Sequence, residues 1–193
     1  MSGPWRWRHT IYLVVGLVAA SIAVTLYREA TAEAGNLWHV GPFLGSILVT
    51  VGWVVTSETA IRNSKRQHTI ALITNHIGDP ARAANRKIIQ ATLITNDTRL
   101  TPPMLTASAP AGTHPFDNTA DPLLVAIDSE LNFYEFAAAG IVSDDIDETL
   151  LRNCLRGQFC TFYAQTDDYI RHWRAKRAQT WEYIAAMNVR WSR

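Results

Sequence analysis

The chain has 193 residues, 48% of them hydrophobic, and its 18 Lys and Arg residues against 17 Asp and Glu leave a net charge of +1. This balance argues against a nucleic-acid-binding protein and against an acidic tail, and the length allows a membrane hairpin and one ordinary domain. Cys154 and Cys160 are six positions apart and point to different faces of a predicted helix. We therefore expect no disulfide between them, and nothing in the cysteine usage argues for an oxidising compartment.

Residues 1–60 predict a transmembrane hairpin with spans over residues 11–27 and 38–57. Neither run contains Asp, Glu, Lys or Arg, and each is long enough to cross a bilayer core of about 30 Å as a helix. A cleaved signal peptide is the alternative for the first run, because Val18-Ala19-Ala20 resembles a cleavage site. We favour retention, since the run stays apolar beyond that site and a second span follows.

The Lys and Arg residues that flank the two runs predict the orientation. Two lie before the first run, one between the runs and three after the second: Arg6 and Arg8, then Arg28, then Arg62, Lys65 and Arg66. Positive flanks stay on the cytoplasmic side. We therefore expect both termini to be cytoplasmic and residues 28–37 to form a short external loop.

The second span carries two faces of special composition at 100° per residue. One face has hydroxyls and an indole, and the adjoining face has glycines: Ser46, Thr50, Trp53 and Ser57, then Gly41, Gly45 and Gly52. Small residues allow helices to approach closely, which favours packing within the hairpin. The alternative is a hydroxyl-lined pore around the axis of an oligomer.

The rest of the chain predicts helices and loops only. Residues 61–94 should hold an extension of the second span to Gly78 and a helix that starts at Pro80, and residues 95–120 a Pro-rich loop. Residues 121–193 predict a helical cytoplasmic domain. Its first helix should end at Gly140. The second should run from a cap at Asp145 to about Arg174, with Gly157 against a neighbouring helix, and the third should cover residues 178–189. The fold class is therefore all-α.

Two blocks of the helical domain resemble a bacterial family known as domain of unknown function 4760. They are LNFYEFAAAGI at 131–141, and DIDETLLR at 145–152 followed by LRG at 155–157. The similarity is best over 121–165 and extends to 66–89. Members of that family often carry N-terminal spans, which implies a bacterial inner-membrane location. The two-span build is also similar to membrane effectors of anti-phage systems.

The chain shows no pattern typical of catalysis or of metal binding. Four carboxylates gather at a predicted helix start, where they oppose the helix dipole without a metal: Asp144, Asp145, Asp147 and Glu148. The six histidines lack ligand spacing, and no phosphate loop or nucleophile motif is present. We expect no enzyme, no cofactor and no metal, and a structural role for Glu135 paired with Arg152 or Arg156.

A basic, aromatic segment near the end of the chain is a candidate binding surface. It contains Arg171, Trp173, Arg174, Lys176 and Arg177. Arginines beside aromatic rings bind nucleotides or single-stranded nucleic acid by phosphate contact and stacking. The alternative, which we favour, is a solvated face that meets the acidic residues of 117–148 or lipid headgroups.

These observations predict an oligomeric inner-membrane protein rather than an enzyme. The leading hypothesis is a signal-gated, pore-forming or membrane-disrupting effector of anti-phage defence. The alternative is a membrane-anchored scaffold or adaptor that docks a cytoplasmic partner. The expected partners are the lipid bilayer and further copies of the chain, and the candidate triggers are a nucleotide, a nucleic acid or a protein.

Overall fold

The structure is a computed structural model that describes residues 15–16, 18–25, 27, 40–105 and 112–193. These residues form helices, turns and loops and contain no strand, which confirms the all-α prediction for this part of the chain. Residues 1–10 before the first predicted span, the predicted external loop 28–37 and residues 106–111 of the predicted Pro-rich loop lie outside the described residues. The chain divides into two compact units, residues 1–64 and residues 65–193.

The first unit contains the predicted membrane segment. Residues 18–25 are helical, and helix α1 begins at Val40. Within the described ranges, no helix is both long enough and apolar enough to cross a membrane. Parts of both predicted spans, at 11–14, 17, 26 and 38–39, lie outside those ranges, so the hairpin stays a prediction.

Helix α1 (Val40–Gly78) belongs to both units and ends at the predicted residue. Asp79 follows it and accepts a hydrogen bond from the Ala81 N–H at 2.9 Å, which caps helix α2 (Pro80–Ile89). The helix predicted to reach residue 94 does so as a π-helical turn, Gln90–Ile94. In the second unit, α1 and α2 are thus joined by a single residue, Asp79.

Three further helices complete the second unit: α3 (Pro122–Val142), α4 (Glu148–Lys176) and α5 (Glu182–Trp191). Asp121 caps α3 by accepting from the Leu123 N–H at 2.8 Å. The predicted start of α4 at Asp145 is wrong, because Asp147 is the cap and accepts from Leu150 N–H at 3.1 Å. The last helix starts and ends later than the predicted 178–189.

Helix α3 is the centre of the second unit. It packs against α2 and α5, and ten of its 21 residues are buried. The predicted loop 95–120 is anchored to this core at both described ends by three buried apolar side chains: Leu100, Leu105 and Phe116. Described side chains from all three predicted segments, 61–94, 95–120 and 121–193, therefore contribute to one core.

Two glycines have roles opposite to those predicted. Gly140 lies inside α3 rather than at its end, and a Cβ there would come within 2.5 Å of the Ile146 Cδ1 atom. Gly157 is exposed in the middle of α4, and a Cβ there would meet no atom within 4 Å among the described residues. The close helix contact predicted at Gly157 is wrong.

We expect Gly157→Ala to stabilise the protein by about 1 kcal/mol, because alanine has the higher helix propensity and meets no neighbour. Thermal unfolding followed by circular dichroism should show a rise of about 3 °C in the midpoint. The matched variant Gly140→Ala should lower the midpoint, since Ile146 must move. Equal shifts in the two variants would contradict the assigned surroundings.

Candidate functional site

A buried pair of ionisable side chains joins the end of α1 to the centre of α3. His76 lies on the last turn of α1 and Glu130 in the middle of α3, and they are only 3% and 4% exposed. The His76 Nε2 and Glu130 Oε2 atoms are 3.4 Å apart. Two ionisable groups so deep in a small domain need compensating partners.

Arg86 of α2 supplies the main compensation. Its Nη1 donates to the His76 carbonyl oxygen at 2.6 Å, and its Nη2 donates to the Ile77 carbonyl oxygen at 3.0 Å. These are among the last carbonyls of α1, which have no partner within their own helix. Arg86 Nη1 also lies 4.0 Å from Glu130 Oε1. One guanidinium therefore caps α1 and faces the buried carboxyl group.

Aromatic rings and a second arginine enclose the pair. The Phe133 ring stacks on the His76 ring with centroids 3.7 Å apart and an interplanar angle of 11°. The Arg82 guanidinium lies over the same Phe133 ring, 5.4 Å from its centroid, and the Arg82 Nε atom is 3.6 Å from Asp79 Oδ2. Stacked rings exclude water from the imidazole and fix its orientation.

Burial moves both protonation equilibria away from the charged forms. Desolvation, assisted by the charges of Arg86 and Arg82, lowers the pKa of His76 to about 4. Desolvation also raises the pKa of Glu130 to about 7, against the opposing charges of the same two arginines. At neutral pH the His76 imidazole is uncharged, and the Glu130 carboxyl group is near the midpoint of its titration.

Several polar atoms of this cluster are buried without a hydrogen-bond partner in the described part of the chain. They are His76 Nδ1, Arg82 Nη1 and Glu130 Oε1. A buried polar atom left unpaired costs about 1–3 kcal/mol. A cluster that bears this cost three times is a candidate for function rather than for stability.

Two cavities lie beside the cluster. His76 and Arg82 line the first, of about 600 Å³, together with Asn75, Asp79 and Phe133. Glu130 and Arg86 line the second, of about 370 Å³, which is also bounded by the π-helical turn and α4. Each partner of the buried pair is therefore placed at the wall of a different cavity.

No sequence motif predicts this site, because His76 and Glu130 are 54 positions apart. Glu130 and Glu135 are five positions apart on one helix and share no face, so their spacing does not indicate an acid/base pair. One signal was available, namely a glutamate between the apolar residues Ile127, Leu131 and Tyr134 of an otherwise buried stripe. A charged residue in such a stripe predicts a buried partner.

The predicted pore and packing residues lie in the first unit, along α1. Ser46, Thr50, Gly52 and Trp53 are exposed, whereas Gly45 and Ser57 are half-buried. Gly41 lies in the helix, but its surroundings are outside the described side chains. The Thr50 hydroxyl donates to the Ser46 carbonyl oxygen at 2.8 Å, so this hydroxyl is already bonded within its own helix.

The predicted basic surface is partly occupied by contacts within the chain. Lys176 pairs with Asp117 and lies 5.0 Å from the centroid of the half-buried Trp173 ring. Arg171 pairs with Asp167 of the same helix at 2.7 Å. Arg174 is half-buried and Arg177 is the exposed C-cap of α4. Two of the four predicted cations thus have carboxylate partners.

The acidic residues also have partners of their own. Glu148 accepts from Arg190 and from the Trp191 indole, at 3.2 and 3.0 Å. Asp144 pairs with Lys65 of α1. Glu135 does not pair with Arg152 or Arg156; it accepts from the backbone N–H groups of Tyr183 and Ile184 and so caps α5. Within the described ranges, no three His, Cys, Asp or Glu residues could hold a metal ion.

One family model, described as "Domain of unknown function (DUF4760)", matches residues 18–191. The chain belongs to this family. The DUF4760 match includes α1 to α5 from Val40 onwards, and hence the buried pair and both cavities. No curated protein and no solved structure matches the chain.

We expect the Glu130→Gln variant to become more stable relative to the natural chain as the pH rises from about 4.5 to about 7. A carboxyl group with a raised pKa loses stability over that window, because it ionises more easily when unfolded. Glutamine cannot ionise, so the difference in unfolding free energy should grow by about 3 kcal/mol. The contribution of His76 is present in both proteins and cancels.

Denaturant titrations of both proteins at several pH values would measure this difference. A difference that shrinks with rising pH would show that Glu130 is held in its ionised form by the arginines.

Proposed function

We propose that this protein is a non-enzymatic, oligomeric membrane effector, in which the apolar part of α1 contacts lipid and the second unit binds a signal. The observation that carries the proposal is an exposed apolar surface on α1. Leu48, Val49, Val51, Trp53 and Val55 are all exposed. Contiguous exposed apolar side chains mark a surface that contacts another protein or a membrane.

The charge distribution along α1 supports a lipid contact. Residues 41–56 contain no Asp, Glu, Lys or Arg. The first charged residue of the helix, Glu58, pairs with Arg62 at 2.6 Å, and Lys65 and Arg66 follow. An uncharged helical run followed by basic residues is the arrangement that a membrane and its cytoplasmic surface favour.

The polar residues of the run are compatible with lipid. The hydroxyls of Thr50 and Thr56 donate to carbonyl oxygens four residues earlier, at 2.8 and 2.7 Å. A hydroxyl bonded within its own helix adds no unpaired donor to the hydrocarbon. A Cβ at Gly45 or Gly52 would meet nothing within 4 Å among the described residues, so another helix can approach there.

The continuity of α1 supports a signal-dependent effect. The helix runs without interruption from the apolar run to His76, which the second unit encloses. A change at the buried pair can therefore act on the apolar run through one set of helical hydrogen bonds. In the proposed pore around the axis of the oligomer, Trp53 forms the constriction, because a ring of indoles excludes water. The role in anti-phage defence rests on likeness of build.

A membrane-anchored scaffold or adaptor is the second candidate. The bond between the Thr50 hydroxyl and the Ser46 carbonyl favours it, because a hydroxyl engaged within its helix is less available to line a water-filled pore. In this case, the second unit would dock a cytoplasmic partner and the membrane segment would pass nothing.

We expect cells that express Trp53→Ala to lose their membrane potential and to stop growing without a signal, because the constriction is removed. Leu48→Ala, at an equally exposed apolar position of α1, should leave potential and growth unchanged. A potential-sensitive dye would report the difference.

Both variants should remain in the membrane fraction after alkaline extraction, which serves as the control for anchoring. Normal growth and a normal potential with Trp53→Ala would refute the pore and leave the scaffold. Release of the natural chain into the soluble fraction would refute both candidates.

A further inference from the structure

We infer that the cavity between the π-helical turn, α3 and α4 binds a small, neutral, mostly apolar ligand that carries one hydrogen-bond donor. The cavity has a volume of about 370 Å³, enough for a bicyclic aromatic molecule. It lies within the second unit, so the inference stands whether or not the chain enters a membrane.

The buried carboxyl group at the wall of this cavity determines the polar contact. Glu130 is 4% exposed and lines the cavity. Its Oε1 atom is buried without a hydrogen-bond partner in the described chain, and the nearest cation, Arg86 Nη1, is 4.0 Å away. Arg86 uses that same nitrogen to cap α1. A donor supplied by a ligand would satisfy an acceptor that the protein leaves unpaired.

The other walls set the apolar character of the ligand. Ile89, Tyr134 and Phe162 line the cavity and are buried in the core, and Ile94 adds a partly exposed apolar side chain. Exposed polar residues, Gln90, Gln158 and Thr161, lie among the lining residues and give the cavity a polar, accessible side. Apolar walls with a few placed polar groups are typical of small-molecule sites.

The charges around Glu130 favour a neutral ligand. Arg86 lies at the cavity wall and Arg82 is close enough to affect the same carboxyl group, so a cationic ligand would meet two positive charges. An anionic ligand would meet the carboxylate itself. An N–H or O–H donor without charge avoids both repulsions.

Gly157 and the π-helical turn are two irregular features that meet at this cavity. A glycine inside a helix costs about 1 kcal/mol relative to alanine, and Gly157 has no packing contact that would require it. Gly157 is an exposed residue of the cavity lining, so the missing side chain keeps the opening clear. A π-helical turn within a helix is also frequent at functional sites.

Indole is a suitable probe, because it is a neutral bicyclic ring with one N–H donor. Isothermal titration of the full chain should show saturable binding of indole. Methylation of the nitrogen removes the donor and adds a single methyl group, so 1-methylindole should bind at least tenfold more weakly. Equal affinity for the two probes would overturn the role of Glu130.

Substitutions at Gly157 test the location without disturbing the core. Gly157→Phe should fill the opening and weaken indole binding at least tenfold, whereas Cys154→Phe, at an exposed position of the same helix outside the cavity lining, should keep the affinity of the natural chain. Both variants should unfold at or above its midpoint, which shows that they are folded. Natural affinity in Gly157→Phe, or no saturable binding of indole by the natural chain, would overturn the inference.

Discussion

The contact between His76 and Glu130 is the constraint on which the second unit depends. It places an imidazole from the end of α1 beside a carboxyl group in the middle of the central helix, with Nε2 and Oε2 3.4 Å apart. Neither group can be fully charged at low cost in this position. The surrounding structure therefore supplies a stacked ring, Phe133, and a guanidinium, Arg86, at fixed positions.

Arg86 connects this constraint to the chain on both sides. It can cap α1 only because α2 starts directly after it, at Pro80, with Asp79 as the cap between the two helices. A longer connection would move the guanidinium away from the last carbonyls of α1. The tight turn, the cap and the buried pair thus form one connected network of contacts that holds the end of α1.

A second long-range bond secures α1 about two turns before His76. The buried Thr69 hydroxyl accepts from the Asp147 N–H at 2.9 Å, while Lys65 pairs with Asp144. The start of α4 is thereby held against α1 through its cap residue. Polar contacts at Thr69 and His76, rather than apolar area alone, determine which face of α1 is buried, since Ile70 and Ile77 remain exposed.

The sequence predicted those features that depend on neighbouring residues. The all-α class follows from helical patterns along the chain, and the end of α1 follows from Gly78. The starts of α2 and α3 follow from two Asp-Pro pairs, whose side chain and ring act within one turn. Contacts between residues that are far apart in the sequence were not predicted. Glu135 caps α5 from 48 positions away, and no local pattern distinguishes that role from an ion pair with an arginine.

The glycines show the same limit. Gly140, near the end of one helical pattern, was predicted to end its helix. Gly157, in the middle of the next pattern, was predicted to contact a neighbouring helix. Ile146 approaches Gly140 from beyond the helix, and nothing in the described chain approaches Gly157. Both outcomes depend on which other segment packs against each glycine. The spacing of residues along one helix does not predict that segment.

Hydrogen exchange of the backbone amides tests the central claim that the second unit holds the end of α1 as part of its core. The amides of residues 69–78 should exchange as slowly as those of residues 124–138 in α3, because both open only when the whole unit unfolds. Fast exchange of residues 69–78 alongside full protection of residues 124–138 would contradict the claim, since α1 would then open independently of the buried pair.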